Sequence, residues 1–120
     1  MPDYPRRRLP QHFLPLSVPV FQMLLSLSDR DLHGYAIIQD IRERTAGEVQ
    51  LTASTLYAAI KRLLDARLIQ EVNAPSETGG APRRCYRLTR DGRRAAREEA
   101  ERLARAVAMA RDKRLLPRKA

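Results

Sequence analysis

From Val18 to Leu27 the apolar positions run almost without a break: Val18, Val20, Phe21, Met23, Leu24, Leu25 and Leu27. At about 100° per residue they cover nearly the whole circumference of a helix, so this helix is expected to be buried on several sides. In so small a chain that points to burial against a second subunit. Ser17 can cap it, and Pro19 fits its first turn, where the missing N–H goes unused. Asp29 to Leu32 reads as a polar turn, with Asp31 as N-cap of the next helix. That helix runs through HGYAIIQDIRERTA and stops at Gly47, a natural C-terminal cap. Gly34, Ile37, Ile38 and Ile41 share its inner face, and Gly34 permits close packing.

Val49 to Leu51 is short and β-prone, with room for a brief strand. Thr52 then caps a third helix through Ala66. Leu56, Ile60, Leu63 and Leu64 gather on its inner face; Ser54, Thr55, Ala58, Lys61, Arg62 and Asp65 fall on the other. Leu68 to Val72 reads as a strand, residues 73–82 as a Pro/Ser/Gly-rich turn, and Arg83 to Thr89 as a second strand. Cys85 and Arg87 alternate with Tyr86 and Leu88. The two strands form a hairpin. Thr89 caps a last helix reaching Leu116, ended by Pro117. On it Ala96, Ala100, Leu103, Val107 and Ala110 recur at heptad spacing, a seam suited to close helix packing. The alternative is a helix packed on its own domain.

The predicted fold class is mainly α with a small β-hairpin wing: a winged helix-turn-helix followed by a C-terminal dimerisation helix. Residues 1–16 form a flexible arm, 17–89 the winged helix, 90–116 the dimerisation helix and 117–120 a disordered tail. The arm holds four prolines and the run Arg6, Arg7, Arg8. It is either a minor-groove reader or a frayed terminus.

Charge sharpens this picture. The 120 residues carry a net charge of +9. Residues 1–50 hold six basic and six acidic side chains, so the whole excess lies in residues 51–120. Such asymmetry points to a polyanionic partner, and arginine outnumbers lysine, as bidentate phosphate or guanine contacts favour. A GC-rich genome gives the same bias. Cys85, the only cysteine, has no internal partner, which suits a reducing cytoplasm. It could be redox-sensitive beside Arg84 and Arg87, or simply a small strand residue. No apolar run is long enough for a membrane span, so no membrane partner is expected. His12 and His33 are far apart, with no carboxylates at ligand spacing. No metal site, cofactor, catalytic constellation or phosphate-cradling glycine loop is therefore expected.

Three motifs carry a family resemblance: HGYAIIQDI at residues 33–41, STLYAAIKRLLDARLI at 54–69, and RCYRLTRDGRR at 84–94. In this order and spacing the chain resembles the PadR-like transcriptional regulators over roughly residues 16–105. The resemblance implies a dimeric winged-helix regulator, usually a repressor, on a pseudo-palindromic operator. It makes Thr52 to Ala66 the recognition helix and gives Tyr57 a contact to the DNA backbone. Ala58 stands where the family pattern commonly has proline, and Arg67 where it has glycine. The chain has no Trp, the residue on which some multidrug-sensing relatives stack ligands.

The expected function is a cytoplasmic, homodimeric, sequence-specific DNA-binding regulator of repressor type, not an enzyme. Its partners are double-stranded DNA and a second copy of itself; no residue set names a small-molecule effector. Ser54, Thr55 and Arg62 face base edges, while Thr52, Tyr57, Lys61, Arg83 and Arg84 hold the helix start, the phosphates and the wing. Val20, Phe21, Leu24, Ala96, Ala100, Leu103, Val107 and Ala110 are the expected dimer contacts. The alternative is a protein-interaction winged helix whose basic face meets an acidic partner.

Overall fold

The computed structural model describes residues 15–74, 79–80 and 83–117. Four helices and three short strands follow in the order α1 (Val18–Ser26), β1 (Leu32–His33), α2 (Gly34–Arg44), α3 (Ala53–Asp65), β2 (Ile69–Ala74), β3 (Arg83–Leu88) and α4 (Arg90–Asp112). The sheet is antiparallel in the order β1-β3-β2. This is a winged helix. The core is a single cluster in which Met23, Leu24, Ile37, Ile41, Leu56 and Leu63 are wholly buried, with Leu68 and Ile69 beneath the hairpin.

Helix starts follow their caps. Ser17, Thr52 and Thr89 each accept a bond from the first turn they precede. The start of α2 differs from expectation. Its N-cap is His33, whose Nδ1 accepts the Ala36 N–H at 3.3 Å, not Asp31. Asp31 is drawn away by Arg87, which donates to both carboxylate oxygens at 2.8 and 3.1 Å. The strand expected at Val49 to Leu51 is absent, because that backbone is bonded locally: the Val49 N–H donates to the Thr45 hydroxyl at 3.0 Å. The third strand is instead β1, paired through Leu32 with Tyr86 and through His33 with Cys85. That makes β3 the central strand, and both Cys85 and Tyr86 on it are buried although they point to opposite faces.

Helix ends share one geometry. After α2, α3 and α4, a residue in the left-handed region follows the C-cap: Ala46 (φ 53°), Arg67 (φ 61°) and Arg114 (φ 64°). Each end closes with the paired bonds of a Schellman motif, as in Leu68 N–H to Leu63 O and Arg67 N–H to Leu64 O, both 3.0 Å. Gly47 thus lies one residue beyond the first left-handed position, and α2 ends at Arg44. Helix α4 ends at Asp112, four residues short of the expected Leu116.

Leu16, assigned to the arm, belongs to the core. Its N–H donates to Glu99 of α4 at 3.4 Å. The Arg6-Arg7-Arg8 run, most of the wing turn and residues 118–120 of the tail lie outside the described residues.

Candidate nucleic-acid interface

Helix α3 is amphipathic, and its fold follows from that. Leu56, Ala59, Ile60 and Leu63 bury one side against α2 and the sheet. Ser54, Thr55, Tyr57, Ala58, Lys61 and Arg62 stay exposed on the other. The N-terminal hydroxyls are already organised. The Thr52 hydroxyl accepts the Thr55 N–H at 3.2 Å and donates to the Thr55 hydroxyl at 3.0 Å. Thr52 is therefore first a cap, and its offer to an outside partner is small. The Ser54 hydroxyl lies 3.4 Å from that of Thr52.

Tyr57 is half exposed, and its position is set by a glycine. A Cβ on Gly34 would stand 2.9 Å from Tyr57 Cζ and closer still to the hydroxyl. No real Cβ tolerates such contacts, so only glycine lets the ring lie over the start of α2. The close approach expected at Gly34 is thus between a helix backbone and one ring.

Two cations of this face, Lys61 and Arg84, are held loosely. Lys61 Nζ lies 3.7 Å from Asp65 one turn on, and Arg84 Nε lies 3.0 Å from Glu71 across the hairpin. All four side chains are largely exposed, so each pair is worth only about 0.2–1 kcal/mol and yields readily to a phosphate. Arg83 and Arg84 open β3, opposite Ala74 and Asn73 of β2. Burial pushes the Tyr86 hydroxyl's pKa up, and Arg84 opposes that shift. Tyr57 of α3 and Arg83 and Arg84 of the wing base line one opening.

A family model for the PadR-like transcriptional regulators matches residues 23–98. The chain belongs to the PadR-like family. An uncharacterised protein of Lysinibacillus sphaericus is 34% identical to this PadR-like chain over 71 residues, which are 59% of the chain and 64% of that protein. A transcriptional regulator of Clostridium thermocellum is 26% identical, with a TM-score of 0.67 over 78% of this chain and 87% of its own. A PadR family regulator of Clostridium difficile shares the fold at a TM-score of 0.70, with 24% identity over 80% of this chain and 97% of its own. The Bacillus subtilis PadR, solved in complex with operator DNA, shares it at 0.59, with 23% identity over 68% of this chain and 47% of its own.

The expected dimer contacts separate into two sets. Val20, Leu24 and Ala96 are buried in the chain's own core. Phe21 packs partly against that core. Helix α4 covers part of α1 within one chain, leaving Val18 61% exposed and Phe21 and Leu25 half-buried. Beyond Glu99 the character of α4 changes. Residues 100–109 are all exposed, with Leu103 and Val107 each at 37%. Two neighbours of Tyr57 escaped the sequence reading as site residues, His33 and Tyr35. The HGY motif was the available signal, but a two-residue strand has no visible period.

Proposed function

We propose that this chain is a homodimeric, sequence-specific DNA-binding regulator, acting as a repressor on a pseudo-palindromic operator in the cytoplasm. The observation that carries the reading is the exposed outer face of α3, small and hydroxylated at its start and basic further on, with its Tyr57 lining one opening with Arg83 and Arg84 of the wing. Such a helix fits the major groove. Ser54, Thr55 and Arg62 are assigned to base edges. Tyr57, Lys61, Arg83 and Arg84 are assigned to phosphates, and Thr52 caps the helix that presents them. The exposed part of α4, with Ala100, Leu103, Val107 and Ala110, is assigned to the dimer contact, which sets the half-site spacing. The operator complex of the Bacillus subtilis PadR supports this reading.

The test is fluorescence anisotropy on DNA from upstream of the protein's own gene, against scrambled DNA, at two salt concentrations. The expected preference is about a thousandfold or more near physiological salt. Arg62→Ala is expected to weaken operator binding and narrow that preference, whereas Arg84→Ala should weaken all sequences alike and lower the salt slope by about one. Equal binding of the wild type to both DNAs, collapsing with salt, overturns the sequence-specific reading for that site.

A further inference from the structure

Three elements meet in an open cavity of about 500 Å³ beside the recognition helix. The N-cap His33 lines it together with Gly34 and Tyr35 of α2, Tyr57 of α3, and Arg83, Arg84 and Tyr86 of β3. None of these is a carboxylate. Among the described residues no carboxylate pairs with Arg83, and the Arg84 partner, Glu71, holds it through an exposed and weak pair. Tyr35 and Tyr57 are both half exposed or more, and both side chains line the opening.

His33 adds a donor. Its Nδ1 accepts the Ala36 N–H, so the neutral ring carries its proton on Nε2. The ring is thus fixed in tautomer as well as in place. Burial, and then the charge of Arg83, hold its pKa below the ordinary histidine value. Cations, hydroxyl donors and an imidazole N–H around one opening match an anion with several oxygens. The room available accommodates a phosphodiester together with its flanking sugars.

We propose that this cavity seats one backbone phosphodiester of bound DNA, held jointly by α2, α3 and the wing. The inference rests on the DNA-binding reading above and deepens it. Contacts to the recognition helix and the wing are no longer separate: a single phosphate ties both to the start of α2 and fixes the depth at which α3 enters the groove. His33 is then a binding residue as well as a cap.

The experiment compares His33→Asn with His33→Asp. Both replacements are good N-caps, so α2 keeps its start, and circular dichroism checks this. They differ by one negative charge at the wall of the cavity. Relative to H33N, H33D is expected to bind operator and scrambled DNA about tenfold more weakly, with a salt slope smaller by about one. Equal binding by the two variants overturns the seat and leaves the regulator reading standing. Wild-type protein that binds no DNA removes the regulator reading. Titration with inorganic phosphate then decides the cavity. Saturable shifts of the His33 ring and Gly34 amide resonances, lost in H33D, keep it as an anion site. Unmoved resonances overturn it.

Discussion

Arg67 shows how a single residue trades stability. It occupies the left-handed position of the turn after α3, where glycine is free of strain. An L-residue there costs on the order of 1 kcal/mol. Arg67→Gly is therefore expected to raise the unfolding free energy by about 1 kcal/mol in urea denaturation, since the main-chain bonds of the motif are unaffected. A loss of stability would mean that the guanidinium contributes more than the strain removes. Gly92 carries the opposite constraint. A Cβ there would be driven into the Leu68 backbone, with the carbonyl carbon at 2.9 Å. The residue that weakens the helix pattern of the sequence is the one that lets α4 begin against the turn after α3. The Arg67 conformation was legible from the family pattern; the Gly92 contact was not, because its partner is a distant carbonyl.

At the scale of elements, two clasps tie segments of the chain together. Glu99 is only 3% exposed, yet it is charged. Arg102 donates to both of its oxygens, at 2.6 and 2.9 Å, and Leu16 adds its N–H. The Arg102 bond holds the Glu99 pKa below the ordinary carboxylate range, against the opposing effect of burial. Glu99→Ala should cost about 1–2 kcal/mol by leaving the Leu16 N–H unpaired. Hydrogen exchange at Leu16 should rise more than in the core, and unchanged protection there would show that Glu99 does not hold the segment. The second clasp is His33. Its pKa is depressed, so below about pH 6.5 the unfolded chain binds a proton that the folded chain refuses until lower pH. Its contribution is full above 6.5 and is lost as the pH falls through the lower folded value. Stability should therefore decline as pH drops below about 6.5, and H33N should flatten that slope. Asp31 and Asp40 act in a separate, more acidic window. The bond from Arg87 lowers Asp31; burial raises Asp40 but is outweighed by bonds from Arg44 and Ser26. A decline that persists in H33N would assign it to another group.

For the whole molecule, the decisive feature is the division of α4. Its first half closes the core over α1, and residues 100–109 of its second half are all exposed. Leu103 and Val107, at heptad spacing, form the apolar centre of that exposed half. The double variant Leu103→Glu, Val107→Glu is expected to sediment as a folded monomer. It should keep its affinity for a single half-site and lose at least tenfold on the full operator, where linked half-sites reinforce each other. A dimer that survives both charges would place the interface elsewhere. No helix among the described residues is long and apolar enough to cross a membrane.

Much of this architecture is local, which is why the chain reveals it before folding is considered. The four helices, their Ser17, Thr52 and Thr89 caps, the hairpin and the basic outer face of α3 follow from periodicity, capping chemistry and charge within a few residues. Long-range contacts decided the rest. Strand β1 exists only because β3 offers Leu32 and His33 a partner more than fifty residues away. Asp31 leaves the cap position because Arg87 reaches it across the sheet. Val20 and Leu24 have the same apolar character whether a partner or the chain's own α4 covers them, and only the packing tells the two apart. The cavity has the same origin: His33, Tyr57 and Arg83 share no sequence pattern, and their proximity is a product of tertiary structure alone.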